Sequence, residues 1–483
     1  MNYRLLFLLF LGSLTASAQT KLSGAGETKT YTLYECIDYA LEHNITLRQS
    51  ELAIESSSIR LKQSQAAVLP SVNGQINANT NFGRNIDPFS NDVVTSTIGT
   101  NSLGAGANMI LYNGYRLKNT ILRSELDLEA ARLDVETQKN NISLQIAVAY
   151  LNILSSEDMI EVANQNVNVT KLQLDRTEKL VRAGALPETN IFNLNAQLAN
   201  DELQLVNAQN GYQSNLLTLK QNMNLQDYDA IAIQRVEVPN PSMRIYPETP
   251  QEVYQAALNY LPEVKSSIMR EKMAEVNIQI AKAVGLPSIS ANLGWGSSYS
   301  TIAKNIIPGA TVYNPIAVSA EFEGQTIPFV VNFPEQSVTR ESIPYFNQIG
   351  NNQNVNIGVS MQIPIFNGYN KKYQMQAAQI QKKQSELTTE NTKVGIRQSI
   401  DQAYINMLNA SKTYSANSVQ VDALQRAFEA ADASYNAGAS NYVDYNLAKT
   451  NLDRALANQI QAKYDYLFKI KILDFYQNKP LEF

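Results

Sequence analysis

Few side chains in this chain could perform chemistry on a substrate or hold a metal. The 483 residues include one cysteine, Cys36, and one histidine, His43. A single cysteine cannot close a disulfide within the chain, and one cysteine with one histidine makes neither a transition-metal cluster nor a catalytic pair beyond chance. The sequence therefore predicts no enzyme and no cofactor, and we expect His43 to be a solvated or helix-end residue.

Composition narrows the function further. The formal net charge is −5, with 39 basic and 44 acidic residues, so the chain lacks the basic surplus that nucleic-acid binding requires. Hydrophobic residues make up only 44% of the chain, which favours elongated elements over one large globular core. We therefore expect an extended protein with no nucleic-acid partner.

The N-terminus has the pattern of a secretory signal. Arg4 precedes an apolar run from Leu5 to Leu11, and Ala16-Ser17-Ala18 fits the small-residue rule for signal-peptidase cleavage. A membrane anchor is the alternative, but the run is shorter than the roughly 18 residues that a spanning helix needs. We predict a cleaved signal peptide at residues 1–18. No later stretch is long and apolar enough to predict a membrane helix.

The chain contains two copies of one unit. Three pairs of segments match at a single offset of 254 residues, without gaps. Two further pairs, earlier in each half, share an offset of 217 residues. The difference of 37 residues predicts an insertion in the second half, between Leu293 and Pro364. The pairs are ILYNGY (110–115) with PIFNGY (364–369), AYLNIL (149–154) with AYINML (403–408), AGA (183–185) with AGA (437–439), YALEHNITL (39–47) with AALNYLPEV (256–264), and AAVLPSVNGQINAN (66–79) with KAVGLPSISANLGW (282–295).

A long helix is predicted in each half. Neither proline nor glycine occurs between Gly114 and Gly184, and no proline occurs between Pro364 and Pro480. A helix of about 66 residues would reach roughly 100 Å, far beyond a compact domain. Spacings of four and three predict a coiled-coil seam, and the second copy of that seam is more polar. The first seam is Leu126, Ala130, Leu133, Thr137, Asn140, Leu144, Ala147, Leu151 and Leu154, and the second keeps Ile380, Leu387, Val394, Ile405 and Leu408.

Four segments of roughly ten residues change to a period of two, with apolar residues on one face and small or amide-bearing residues on the other. This pattern is typical of outer-membrane barrels, and a soluble two-sided sheet is the alternative. Four strands cannot close a barrel and an open edge is not tolerated in hydrocarbon, so we expect an oligomer. Two copies would give eight strands, whereas three would give twelve and room for water, which the polar face favours. The segments are SVNGQINANTNF, SLGAGANMIL, SISANLGWGSSYS and NVNIGVSMQIPIF.

Aromatic residues accompany these segments, near the predicted strand ends. Tyrosine and tryptophan are enriched where a membrane meets water, so the sequence predicts a membrane-interface set. Its members are Tyr112, Tyr115, Trp295, Tyr299, Phe366 and Tyr369.

Three features of the sequence belong together: the duplicated order of segments, the YNGY and FNGY corners, and the Gly-x5-Asp pattern after the second turn. In these features the chain resembles the TolC-type outer-membrane efflux proteins, and the resemblance covers nearly the whole mature chain. The resemblance implies a mainly α fold with a transmembrane β part. Each chain would contribute four strands to a trimeric 12-stranded barrel in outer-membrane lipid and long helices to a periplasmic α-helical coiled-coil barrel. It also implies a homotrimer, a periplasmic adaptor protein and an inner-membrane pump of the RND or ABC type.

The resemblance also assigns roles to residues around the two Ala-Gly-Ala turns. The turns would lie at the periplasmic tips of two helical hairpins, where the adaptor docks; a helix C-cap is the plainer interpretation of each glycine. In the family the channel entrance can carry acids six and nine positions after the second glycine. The sixth residue here is Asp444, which could form a ring of three carboxylates or be an ordinary acid at a helix start. The tips are Ala183, Gly184, Ala185, Ala437, Gly438 and Ala439, and the entrance set is Asp444, Leu447, Asn190 and Asn193.

These inferences divide the chain into nine segments. After the signal peptide come periplasmic helices, strands with an extracellular loop and a long helical hairpin; an equatorial linker joins this half to a second half of the same order. We expect a short hairpin in the longer second loop, 301–350. The predicted bounds are 1–18, 19–70, 71–112, 113–223 (tip near 182–189), 224–250, 251–286, 287–366, 367–478 (tip near 436–442) and a C-terminal tail, 479–483.

The predicted function is that of a passive trimeric exit duct in the outer membrane, with a large periplasmic portion. It would export small molecules or proteins as part of a tripartite efflux pump or a type I secretion system. The alternative is a surface-displayed coiled-coil structural protein or adhesin without a transport role.

Overall fold

The fold comes from a computed structural model, which describes residues 29–86, 91–95, 97–225, 231–236 and 246–480. The predicted signal peptide, residues 481–483 of the predicted tail and parts of the linker lie outside these residues. The chain divides into two compact units. The first contains Met1–Glu51, Asp134–Val264 and Lys393–Phe483, and the second contains Leu52–Leu133 and Lys265–Thr392.

Within the described residues, helices account for most of the ordered structure and strands for the rest. The elements in chain order are β1 Lys29–Tyr31, α1 Leu33–His43, α2 Ile45–Ala66, β2 Ser71–Asn81, β3 Arg84–Ile86, β4 Val93–Thr95, β5 Ile98–Asn113, α3 Arg116–Arg182, α4 Thr189–Met223, β6 Ile231–Ile233, α5 Pro250–Tyr260, α6 Pro262–Ala283, β7 Ser288–Ser300, β8 Lys304–Phe322, β9 Gln325–Ser342, α7 Tyr345–Asn351, β10 Asn354–Gln362, α8 Asn370–Asn436 and α9 Tyr442–Tyr476. Among them, no helix is both long and apolar enough to cross a membrane.

The duplication is visible in the helix starts of the first unit. Thr32 accepts a hydrogen bond from the Glu35 backbone N–H at 3.2 Å, while the Glu35 carboxylate accepts one from the Thr32 N–H. Thr249 and Glu252 form the same capping box 217 residues later. Each box begins an 11-residue helix, α1 or α5. A capping box satisfies two N–H groups that a helix start leaves unpaired, so both copies start their helices by one device.

The long helices α3 and α8 are also copies, with 67 residues each and ends 254 positions apart. Their buried residues repeat at that offset: Ile142, Ile146, Ala149 and Ile153 correspond to Ile396, Ile400, Ala403 and Met407. The predicted first seam is buried at Ala130, Ala147, Leu151 and Leu154. The predicted second seam is not the buried face of α8 within this chain, because Ile380, Leu387, Val394 and Ile405 are exposed.

The corner between strand and helix uses the same backbone twice. Gly114 and Tyr115 have φ of +66° and +63°, and Gly368 and Tyr369 both have φ of +62°. Two successive left-handed residues turn the chain sharply, and glycine takes the first position without a Cβ penalty. Each tyrosine ring then meets the aromatic ring three residues before it edge-on, Tyr112 of β5 at 5.4 Å and Phe366, beyond the end of β10, at 5.5 Å.

The second unit contains a four-stranded antiparallel sheet in the order β10-β7-β5-β2. β5 carries a bulge between Ile110 and Tyr112, which shifts its register against β7. Because side chains alternate between the faces of a strand, one face is apolar and the other carries Asn, Gln, Ser and Gly. The outer strands β10 and β2 each pair on one side only within the described residues. Trp295 lies within β7, opposite Ala105 and Val355, and not at the strand end as predicted.

The insertion contains a long hairpin instead of the short one expected. β8 and β9 have 19 and 18 residues and are joined by Glu323 and Gly324, whose φ angles of +50° and +79° fit a type I′ turn. Four prolines argue against strands in the sequence: Pro308, Pro315, Pro328 and Pro334. A two-stranded hairpin tolerates them because each of its strands has an unpaired edge.

The linker and the C-terminal helix meet in the first unit. β1 and β6 form a parallel pair, and the hydroxyl of fully buried Tyr150 donates to the Gln234 carbonyl at 2.6 Å. The Tyr246 hydroxyl donates to the Asp474 carboxylate at 2.7 Å, and Lys479 pairs with Glu248 at 2.9 Å. These contacts hold the described residues of the linker against α3, α9 and the residues that follow α9. That the linker and the C-terminus form a belt around a tunnel stays a prediction.

Candidate functional site

The two tip turns of the first unit have the same hydrogen bonds. The Gly184 N–H donates to the Val181 carbonyl and the Ala185 N–H to the Leu180 carbonyl, both at 2.9 Å. Around Gly438 the same bonds run from Gly438 to Tyr435 and from Ala439 to Ser434, at 3.0 and 2.9 Å. This pattern is the Schellman motif, which ends a helix at a left-handed residue. The predicted C-cap is therefore present at both glycines.

Backbone conformation explains these two glycines, and crowding does not. Their φ angles are +72° at Gly184 and +77° at Gly438, where a side chain would be strained. A Cβ atom at either position would meet no described atom within 4 Å. The flanking residues Ala183, Ala185, Ala437 and Ala439 place only small side chains directly beside the two glycines. Docking of an adaptor at these tips stays a prediction.

The helices that follow the two turns begin differently. Asn441 caps α9, because its side-chain oxygen accepts the Asp444 N–H at 3.0 Å. α4 begins after Glu188, which makes no capping hydrogen bond. Asp444 lies in the first turn of α9, where the helix dipole favours an acid, and its side chain is exposed. Leu447, one turn later, is 61% exposed. The two predicted entrance residues thus share an exposed helix face.

Asn190 and Asn193 lie in the first turn and a half of α4. The Asn190 N–H donates to the Pro187 carbonyl at 3.2 Å. The carbonyl of Asn193 accepts a hydrogen bond from the Tyr442 hydroxyl at 3.1 Å. The structure thus brings Asn193 to the residue two positions before Asp444. Its backbone, and not its predicted side chain, makes this contact between the hairpins.

A second contact joins the hairpins through α3 and α8. The Arg176 guanidinium of α3 donates to the Asn436 carbonyl, at the end of α8, at 3.3 Å. Cations are favourable at a helix C-terminus, where carbonyls lack partners. Together with Tyr442 and Asn193, this contact fixes the first tip against the second.

Aromatic rings pack together near the tip of the second hairpin, where α8 ends and α9 begins. Tyr435 and Tyr445 stack with centroids 5.1 Å apart, Phe428 lies 5.8 Å from Tyr445, and Tyr442 lies 6.4 Å from both tyrosines. Burial raises the pKa of the Tyr442 hydroxyl to about 12, so it keeps the proton that it donates to Asn193. The cluster anchors α9 to α8 directly behind the exposed face of Asp444.

An ionic cluster is buried further from the tips, between α3, α4 and α9. The Lys449 ammonium lies 3.1 Å from Oδ2 of Asp201 and 2.8 Å from Oδ2 of Asp453. The Thr170 hydroxyl donates to Asp201 at 2.6 Å, and the Gln197 amide donates to it at 2.7 Å. Burial raises the pKa of the Asp453 carboxyl above its usual range, although Lys449 acts in the opposite direction. A cavity of about 420 Å³ borders the cluster.

The sequence analysis missed this ionic cluster, although the spacing of residues in the sequence contains a signal of it. Lys449 falls between Tyr445 and Leu452 at spacings of four and three, so it occupies a core position of α9. Asp201 follows the fully buried Leu194 by seven residues. A charged residue in the apolar stripe of a long helix predicts a buried partner.

The predicted aromatic set lies in the second unit. Tyr115, Phe366 and Tyr369 are well exposed at the strand-to-helix corners, while Tyr112 is half-buried. Tyr299 packs on Tyr345 of α7 with centroids 4.8 Å apart. Among the described residues, no group of three Cys, His, Asp or Glu side chains is arranged to hold a metal ion.

The chain thus combines two copies of a long helical hairpin with a four-stranded sheet that is polar on one face. The chain belongs to the outer membrane efflux protein family, which it matches over residues 36–225 and 253–470. Family, mainly α fold with a β part and location in the outer membrane are thereby confirmed, and the family is one of channels and not of enzymes.

Named relatives agree in length and fold. The outer membrane efflux protein BepC of Brucella suis biovar 1 (strain 1330) is 21% identical over 465 residues, which span 93% of this chain and 86% of BepC. The CmeC outer membrane channel of Campylobacter jejuni superposes with a TM-score of 0.69 at 16% identity, covering 93% of this chain and 87% of CmeC. The outer membrane protein VceC of Vibrio cholerae superposes with a TM-score of 0.69 at 14% identity, covering 92% of this chain and 96% of VceC.

Proposed function

We propose that three copies of this chain form the outer-membrane exit duct of a tripartite efflux pump. The observation that carries the proposal is the four-stranded sheet, whose outer strands β2 and β10 each lack a second partner within the described residues while its apolar face is exposed. In hydrocarbon the unpaired backbone groups of such edges need partners. Pairing β10 of one copy with β2 of the next satisfies them and gives twelve strands.

The helical hairpins supply the periplasmic part of the proposed duct. Their two tips, fixed to each other by Tyr442 and Arg176, present Ala-Gly-Ala turns as a docking surface for a periplasmic adaptor. The adaptor would connect the duct to an inner-membrane pump of the RND or ABC type. Three buried polar atoms near the second tip, Oδ1 of Asn436, Oγ of Ser440 and Oδ1 of Asn446, make no hydrogen bond within the described residues, which favours a partner or ordered water there.

The duct is favoured over a coiled-coil adhesin, because outer membrane efflux is the function after which the matching family is named. Small-molecule efflux is the function proposed first, and type I secretion of proteins is the second use of the same duct. Both need the same trimeric channel, so one experiment tests what they share.

Cysteine cross-linking combined with conductance tests the duct. Ala78 of β2 and Val355, Ile357 or Val359 of β10 are changed to Cys, one pair at a time, because native Cys36 is buried and does not interfere. At least one pair should yield a disulfide-linked trimer that conducts in planar bilayers. The matched control pairs Ala78→Cys with Ser319→Cys of the β8–β9 hairpin. Absence of trimers from every pair, together with absence of conductance, would refute the proposal.

A further inference from the structure

One face of the four-stranded sheet, here called the amide face, carries side-chain amides without charges. Across the order β10-β7-β5-β2, one row is Asn354, Gly296, Gly104 and Gln75, and the next is Asn356, Gly294, Gly106 and Asn73. A third row is Gly358, Asn292, Asn108 and Ser71. The row on one side is Ser298, Ser102 and Asn77, and the row on the other side is Ser360, Ser290 and Ile110. Along the described strands, none of the residues on this face is Asp, Glu, Lys or Arg.

The glycines of these rows make room for the amides of neighbouring strands. A Cβ atom at Gly358 would lie 2.9 Å from Oδ1 of Asn292, and one at Gly104 would lie 3.3 Å from Cγ of Gln75. A Cβ atom at Gly294 would collide with Oδ1 of Asn356. The amides therefore lie across the adjacent strand, over backbone that has no side chain. A groove of about 490 Å³ runs along this face.

The amides present their donors and acceptors outward. Asn73, Gln75, Asn292, Asn354 and Asn356 are exposed, and their side chains make no hydrogen bond to another described residue. An amide offers two N–H donors and a carbonyl acceptor, so it solvates anions and cations alike. Rings of charged side chains are one way in which a water-filled passage selects by charge, and this face has no charged side chain. At about 0.15 M salt the influence of such charges reaches only about 8 Å.

We propose that the amide face lines the membrane passage as a wall without preference for the sign of charge, and that the cargo includes hydrogen-bonding solutes of either charge. This inference rests on the proposed duct. Any charge selectivity of the intact protein then arises away from this sheet. Gln75 is the position where a single change sets selectivity, because it lies exposed at the edge strand β2 beside a glycine.

Reversal potentials in a KCl gradient test the inference on the full-length protein in planar bilayers. Gln75→Glu should shift the ratio of K⁺ to Cl⁻ permeability toward K⁺, and Gln75→Lys should shift it toward Cl⁻, because each change adds one fixed charge per copy to the wall. Gln75→Asn keeps the amide and should leave the ratio unchanged. Ser319→Glu and Ser319→Lys, in the β8–β9 hairpin, are the controls that place the same charges off the face.

The outcomes separate the inference from the duct itself. If the parent conducts but neither charged Gln75 variant shifts the ratio, the amide face does not line the passage and the inference is wrong while the duct stands. Shifts of the same sign for both variants, or an equal shift for Gln75→Asn, would also overturn it. A parent that assembles but does not conduct refutes the duct and the inference together.

Discussion

Lys449 and Asp201 form an ion pair across 248 residues of chain, with Nζ and Oδ2 3.1 Å apart and side chains that are 2% and 4% exposed. The pair joins α9 of the second hairpin to α4 of the first. Two charges taken out of water are stable only while both are present and fully hydrogen-bonded. Thr170, Gln197 and Asp453 complete that bonding, so this contact fixes one relative position of the hairpins.

Lys449→Met should strongly destabilise the first unit. The change leaves the buried carboxylate of Asp201 and the half-buried carboxylate of Asp453 without their cation. Removal of one partner of a buried pair typically costs about 3–5 kcal/mol. The measurement is the guanidinium midpoint of the helical circular dichroism signal in detergent. Lys179→Met, which breaks an exposed pair with Asp175, is the control and should cost about 0.5 kcal/mol or less. Equal losses in both variants would mean that the buried pair adds nothing.

Stability should depend on pH through Asp453, whose folded pKa is raised by burial. A carboxyl with a raised folded pKa binds its proton more tightly when folded, so it costs nothing below the unfolded pKa of about 3.9. The cost in folding stability appears as the pH rises from the unfolded pKa toward the folded pKa, and it stays constant above the folded pKa. Asp453→Asn should therefore gain stability relative to the parent between about pH 4 and about pH 7. Denaturation midpoints at both pH values measure the gain, and a difference unaffected by pH would contradict it.

The two corner glycines should respond unequally to alanine. Both have φ near +60°, so each change carries the strain of a left-handed alanine, roughly 1 kcal/mol. At Gly114 the new Cβ would also lie 2.7 Å from Cβ of Leu286, whereas at Gly368 it meets nothing within 4 Å. Gly114→Ala should therefore lower the thermal midpoint or the yield of folded protein more than Gly368→Ala. Equal effects would show that backbone conformation is the whole reason for both glycines.

Asp444→Asn should weaken block of the proposed channel by trivalent cations. Three exposed carboxylates around one axis would bind such ions, and the change removes them while keeping the side-chain shape. Single-channel current at increasing concentrations of hexamminecobalt measures the block. Glu188→Gln, at the start of α4 after the first tip, is the control. If block is unchanged, Asp444 serves α9 only as an acid near its N-terminus, a contribution of about 0.3–1 kcal/mol.

Local sequence rules predicted the repeated elements because their causes are local. Gly184 and Gly438 end helices through a left-handed backbone, and the alternation from Val72 to Ala78 shows a two-faced strand. The resemblance of the corners identified the family before any contact was known. The interface, entrance and docking roles of individual residues stay predictions.

The missed features depend on partners that are distant in sequence. β1 and β6 have three residues each and pair across about 200 positions, so neither has a recognisable period. A hairpin was expected in the second loop, but the length of β8 and β9 was hidden by prolines that only an unpaired edge permits. The spacing around Lys449 indicated a buried charge, but Asp201 as its partner follows only from the packing of α4 on α9.

The matched lengths of α3 and α8 limit how this protein can change in size. One residue inserted into α3 alone would advance the following turn by about 1.5 Å and rotate it by about 100°, moving Arg176 away from Asn436. The two hairpins can therefore lengthen only together and in whole heptads. The loop between β7 and β10, in contrast, already holds 37 residues more than its counterpart in the first half, as the sequence offsets of 254 and 217 show. Tolerance to insertion is thus concentrated at one end of the sheet, where a foreign peptide could be displayed without disturbing the helices.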